Sequence, residues 1–403
     1  MARITRCIAL VSIASCLAAT FAGGVRPVSA DIQTLASFNG NNGRYPCGVL
    51  TAEGDTLYGT TSAGGASGSG TVFSVPVSGG TPTVLASFDG NHGSVSYAGL
   101  TVLGGTLYGT TDGGGANSLG TVFSMPLTGG TPTVLASFNG GNGKEPGTKL
   151  TVVGTTLYGT TCYGGANGNN GTVFSVPITG GTQTVLASFN GNNGSCPDGV
   201  LSVVGSTLYG TTFYGGANGD GTVFALPITG GTPTVLASFD GSHGQNPNGG
   251  LIVVGSTLYG TTDMGGAWGK GAVFALPITG GTPTILASFN GADGSDLLGG
   301  DLTMIGGTLY GTTNGGGDNS YGTVYALPIT GGEPTVLASF SGANGNGPAA
   351  GLTVVGDTLY GTTYWGGATG RGTVFALPLV PEPATLALLG LSGLGMLVRR
   401  RHR

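Results

Sequence analysis

The sequence predicts an all-β fold: a seven-bladed β-propeller of four-stranded blades, closed by its N-terminal strand. Three observations carry that expectation. The element Leu-Tyr-Gly-Thr-Thr recurs with its tyrosine at Tyr58, Tyr108, Tyr158, Tyr209, Tyr259, Tyr310 and Tyr360, a period of 50 or 51 residues. A second element, Leu-Ala-Ser-Phe, also recurs seven times, ending at Phe38, Phe88, Phe138, Phe189, Phe239, Phe289 and Phe340. The two series are out of phase, because the array opens on a Leu-Ala-Ser-Phe element and closes on Gly372 to Phe375. One strand thus stands without a blade, and one blade lacks a strand. A ring joins the two and removes an edge open to aggregation.

Each repeat reads as one blade. In the last, residues 352–355 form a short apolar strand, Gly356-Asp357 turns it, and residues 358–363 form an alternating strand. A glycine-rich loop precedes a third strand at Gly372 to Leu377. In earlier repeats a turn such as Pro277 to Pro283 leads into a fourth, as at Thr284 to Phe289. The 86 glycines fall at fixed places between apolar strands, so they read as turn chemistry and not as disorder.

The array spans residues 31–379, between two address segments. Residues 1–30 read as a signal peptide, with Arg3 and Arg6, an apolar run from Cys7, and small residues at Val28-Ser29-Ala30. A competing reading takes Ile13-Ala14-Ser15-Cys16 as a lipoprotein box that lipidates Cys16, but the apolar run before it is short. Residues 380–403 hold Pro381-Glu382-Pro383, an apolar stretch over 384–398, and a basic tail of four arginines and His402. Those fifteen residues fall short of the roughly 20 that span a bilayer comfortably. The basic tail would stay cytoplasmic and leave the array outside.

That C-terminal order resembles the PEP-CTERM sorting signal of Gram-negative bacteria, a segment also labelled ice-binding protein C-terminal domain. The resemblance implies an exosortase as partner, a transient inner-membrane anchor at residues 384–398, and delivery to the cell surface, outer membrane or extracellular matrix. The repeats themselves resemble those of GloVer proteins, named for Gloeobacter and Verrucomicrobia, through Leu-Tyr-Gly-Thr-Thr, Gly-Thr-Val-Phe and Gly-Gly. That likeness implies export with variable anchors and no established activity. The Trp-Asp signature of WD-type propellers is missing.

Composition narrows the function. Residues 31–379 carry five basic against sixteen acidic side chains, a net charge of −11, which leaves no patch to neutralise nucleic-acid phosphates. The array cysteines Cys47, Cys162 and Cys196 allow at most one disulfide and have no metal-ligand spacing. Nearly all variation between repeats falls in the loops of one face, where binding sites usually arise. Trp268, Trp365, Tyr163, Tyr214 and Tyr364 stand in those loops, with flat faces suited to stacking on sugar rings. The plainer role for them is packing over their own loops.

No catalytic residue, metal or cofactor is expected, since no nucleophile elbow, paired-histidine motif or phosphate loop is present. Asp112 and Asp263 are the least poor acid candidates, but they read as solvated loop residues in opposite blades. Loops such as Asp89 to Gly93 and Asn290 to Gly294 offer one carboxylate each, which favours Asx turns over calcium. The Thr-Thr pairs point around a ring, not into the flat hydroxyl lattice that ice binding needs. The expectation is an exported, non-enzymatic surface or matrix protein that binds polysaccharide or another surface protein. Its alternative is an extracellular glycan-acting hydrolase or lyase.

Overall fold

Seven antiparallel sheets follow one another around a ring in the computed structural model, whose described residues are 31–379. The signal peptide, Cys16, the sorting residues Pro381, Glu382 and Pro383, and the apolar stretch 384–398 lie outside those residues. Among the described residues no helix is long and apolar enough to cross a membrane.

Strand order runs from the axis outward. In the seventh blade the inner strand Thr353–Val355 pairs with Thr358–Thr363, which pairs with Thr373–Pro378, which pairs with Gln33–Ser37. The closing strand sets Gln33 opposite Ala376 and Ser37 opposite Thr373, with a bulge between Thr34 and Ala36. Ring closure by the N-terminal strand is therefore as expected. The same bulge recurs where the outermost strand of each blade joins, for example between Val173 and Phe174. It adds one residue and increases local twist. The first blade has a fifth short strand, Arg44–Pro46, paired with Thr56–Ala63.

The recurring residues explain the packing between blades. The Phe of each Leu-Ala-Ser-Phe element meets an aromatic ring of the next blade edge-on, from Phe38 on Phe73 to Phe340 on Phe375. All seven boundaries have this contact, with ring centroids 4.9–5.3 Å apart. Edge-to-face pairs of buried rings contribute about 0.5–1.5 kcal/mol beyond their area. The glycine of Leu-Tyr-Gly-Thr-Thr makes room for them: a Cβ on Gly59 would stand 2.6 Å from Cζ of Phe73. In the sixth blade the ring is Tyr325, whose hydroxyl is buried without a partner among the described residues.

Hydroxyls supply a second set of links. Thr51, Thr101, Thr151, Ser202 and Thr303 each donate to the carbonyl of the leucine that opens the next inner strand, and Thr353 donates to Leu50. Ile252 stands at that position in the fifth blade. The Thr-Thr pairs are buried. Their first member reaches the neighbouring blade, as Thr60 does to the Ala98 carbonyl at 2.8 Å, except Thr160, which pairs with Thr148 of its own blade at 3.1 Å. Their second pairs within the blade, as Thr61 with Thr71 at 2.8 Å, except Thr262, which stands opposite Ala272. These hydroxyls are structural, and the ring-wise display expected for them is replaced by burial.

Candidate functional site: an acidic mouth on the ring axis

The variable loops converge on a cavity of about 590 Å³ at the axis. The residue three before the leucine that opens the inner strand lines its wall in every repeat, and the residue one before that leucine does so in five. Gly147, Gly299 and Ala349 are small at the first position and Gly99 at the second, but Tyr97 and Asp198 occupy the first position and Lys149 and Asp301 the second. Asp112, Glu145, Cys162 and Tyr364 complete the wall from the loops.

A backbone clasp holds the loops in place. Once per blade a residue adopts left-handed φ: Tyr45, Val95, Glu145, Cys196, Asn246 and Asp296, at 53–62°, and Gly347 at 64°. Side chains with a Cβ rarely adopt this conformation, and it persists only where the surroundings over-determine it. Each N–H donates to a carbonyl of the preceding blade, for example Val95 to Ser69 at 2.8 Å and Cys196 to Asn170 at 2.9 Å. From Val95 onward each carbonyl accepts from the residue after Leu-Tyr-Gly-Thr-Thr in its own blade, as from Asp112 to Val95 at 2.8 Å.

The clasp sets two variable side chains against each other at each blade boundary, and their chemistry differs from one boundary to the next. Tyr364 stacks on Tyr45 with centroids 5.0 Å apart, and Trp365 meets Tyr45 edge-on at 4.4 Å. Cys162 forms a disulfide with Cys196. Asn246 donates to the Phe213 carbonyl at 2.8 Å. Asp112 lies by Glu145, and Asp263 by Asp296. This is the single disulfide that the three array cysteines allow; Cys47 is free and buried, and burial pushes its thiol up.

Electrostatics distinguish the acids. Burial, then Asp198 and Glu145, push Asp112 up to about 8. Burial and Asp301 push Asp198 up to about 7. Asp301 is also raised by burial, against the Gly250 N–H that it accepts and the nearby Lys149. Lys149 is lowered by burial and donates to Thr51 Oγ1 at 3.2 Å. Asp263 is buried, with an unpartnered Oδ1, and is raised to about 6 by burial and Asp296. The solvated-loop role expected for Asp112 and Asp263 is thus corrected: both carry a buried oxygen with no hydrogen-bond partner among the described residues. Only Asp112 of the two lines the axial cavity.

Among the aromatic candidates, Tyr163, Tyr364 and Trp365 line the mouth. Tyr214 is half exposed and packs edge-on against Phe213 at 4.6 Å. Trp268, 65 % exposed, lies instead in a separate groove with Asp293, Glu333 and Pro334. Sequence reasoning missed Tyr97, Glu145, Lys149, Asp198 and Asp301. For Lys149 and Asp301 the available signal was a charge in a repeat position otherwise filled by glycine or valine; the positions of Tyr97, Asp198 and Glu145 vary from blade to blade and gave none. In the loops Asp89 to Gly93 and Asn290 to Gly294 the carboxylate or amide caps backbone N–H groups, as His92 N to Asp89 Oδ1 at 2.8 Å and Ala292 N to Asn290 Oδ1 at 2.8 Å. These are the expected Asx turns.

Two family models match the chain. The Gloeobacter/Verrucomicrobia repeat covers residues 23–174 and 155–375, and the PEP-CTERM protein-sorting motif covers 379–401. No curated protein matches the sequence. Among solved structures, the fold is similar to a puromycin-hydrolyzing peptidase of Mycobacterium tuberculosis, with TM-score 0.55 and 13% identity over 88% of this chain. The match spans only 55% of that protein's length. A gluconolactonase of Xanthomonas campestris matches with TM-score 0.44 and 14% identity, over 88% of this chain and 91% of that one. At such identity the peptidase shares the fold alone.

Proposed function

The chain belongs to the Gloeobacter/Verrucomicrobia repeat family and carries a PEP-CTERM motif, and from that premise we propose a non-enzymatic surface protein that binds polysaccharide through its axial mouth. The motif marks export and handling by an exosortase in Gram-negative bacteria. The observation that carries the binding reading is the aromatic group Tyr45, Tyr364 and Trp365 beside an axial cavity of about 590 Å³ with carboxyls in its wall, with Tyr97 and Tyr163 on the same wall. Rigid aromatic faces flanked by carboxyls and amides suit sugar rings and their hydroxyls.

One observation favours a second reading, a glycan-acting hydrolase. Oδ1 of Asp198 and of Asp112 lie 3.3 and 3.7 Å from the point a Cβ on Gly147 would occupy, hence no more than about 7 Å apart, a bound that overlaps the roughly 5–9.5 Å spacing of paired glycosidase carboxyls. Turnover of a polysaccharide panel that disappears in Asp112→Asn would establish that reading over simple binding.

The binding reading is tested by retention on immobilised extracellular polysaccharide. Trp365→Ala is expected to weaken retention by about five-fold or more, as loss of a stacking platform does, with little change in thermal midpoint. Trp268→Ala, in its separate groove, leaves retention at the mouth unchanged. Full retention in Trp365→Ala defeats the proposal.

A further inference from the structure

The clasp brings two further positions together at each boundary: the residue whose carbonyl takes the clasp N–H, and the residue just before the left-handed one. Between the fourth and fifth blades these are Asp220 and Gln245, and their side chains touch, Gln245 Nε2 donating to Asp220 Oδ1 at 2.9 Å. Between the seventh and first blades the same two positions hold Arg371 and Arg44, with Tyr45 N donating to the Arg371 carbonyl at 2.9 Å. The array has only five basic side chains, and no other boundary sets two of them at these positions. Arg371 is exposed and lays its guanidinium on the entry loop that ends at Arg44, donating to the Asn39 carbonyl. Like charges brought together in this way repel, and among the described residues neither arginine has a carboxylate within ion-pair range.

We propose that the seam between the seventh and first blades seats the acidic group of a sugar between Arg44 and Arg371, so that the polysaccharide taken at the mouth is an anionic one, bearing carboxylates or sulfate esters. The inference rests on the binding reading above and narrows it. Guanidinium forks match such groups with paired, charge-assisted hydrogen bonds, and an anion between two of them relieves their repulsion. The guanidinium carbon of Arg44 and the ring of Trp365 lie 5.4 and 4.4 Å from the centre of the Tyr45 ring, hence no more than about 10 Å apart. A sugar laid on Trp365, which is 44 % exposed, thus brings its acid within reach of the arginines. Neither arginine lines the axial cavity, so the seat lies outside its acidic wall, while Trp365 belongs to both.

The test is titration calorimetry of the purified protein with three hexamers of one backbone that differ at C6: galacturonate, its methyl ester, and galactose 6-sulfate. At least one of the acids is expected to bind about ten-fold tighter than the ester or better, the effect of one charge-assisted contact, and the tighter acid names the group the seat takes. Added salt should shrink that advantage. Arg371→Gln removes one charge and keeps a donor for the Asn39 carbonyl, and Arg44→Gln places the residue that Gln245 already is in the fifth blade. Each should lower the affinity for the acids to that for the ester, and Arg371→Gln should do so with a thermal midpoint near that of the parent. Equal affinity for all three hexamers, or a preference for the acids that survives Arg371→Gln, overturns the anion seat and leaves the polysaccharide reading intact. Binding of none of the three overturns the seat; loss of retention on every polysaccharide tested overturns the reading beneath it.

Discussion

At the scale of single residues, the acids of the mouth determine how stability responds to pH. Asp112 and Asp198 titrate near 8 and 7 in the fold, against 3.8 for an ordinary aspartate. The folded state therefore holds protons that the unfolded chain releases between about pH 4 and pH 8. Stability is greatest at the acidic end of that window and is lost as pH rises across it. Asp112→Asn and Asp198→Asn should raise the thermal midpoint near pH 8, have little effect near pH 4, and flatten the profile. A parent midpoint that climbs from pH 5 to pH 8 would contradict this assignment. These acids were hard to see in the sequence because nothing local marks them. Asp198 sits in a position filled elsewhere by Gly147 or Ala349, and its neighbour Asp112 is 86 residues away.

At the scale of the element, the closing strand Gln33–Ser37 is the piece on which the ring depends. It supplies the fourth strand of the seventh blade, and Phe38 supplies the edge-to-face contact with Phe73. Removing residues 31–38 deletes that ring and opens the edge of Thr373–Pro378. Loss of one such buried phenylalanine alone costs about 3–5 kcal/mol. The truncated protein is expected to unfold in one cooperative step at least about 5 °C lower and to self-associate in gel filtration. An unchanged midpoint with a monomeric elution would remove the strand from its closing role. Strands of this kind were legible beforehand, because Leu-Ala-Ser-Phe and Leu-Tyr-Gly-Thr-Thr alternate with a period of two and recur at fixed spacing. The bulges and left-handed turns were not, since Tyr, Val, Glu, Cys, Asn and Asp share one conformation that none of them favours.

At the scale of the whole molecule, address and architecture are separable. Intact-mass measurement of the secreted protein should show a chain starting at Asp31, cut near Pro381-Glu382-Pro383, with Cys162 and Cys196 oxidised. A species that retains Met1 or Arg403 would count against that processing. The frame itself is indifferent to what it carries: the main-chain clasp at each blade boundary is made with tyrosine, valine, glutamate, cysteine, asparagine, aspartate or glycine in the left-handed position. Gene repeats this alike invite unequal recombination. Exchanging one repeat for another keeps every clasp yet rewrites two boundary pairs at once. Replacing the fourth repeat with a copy of the fifth, for instance, would remove Cys196 and set an asparagine like Asn246 against Cys162. Lineages built on this ring can therefore change what the mouth presents by shuffling whole blades, a far shorter route than altering its wall one codon at a time.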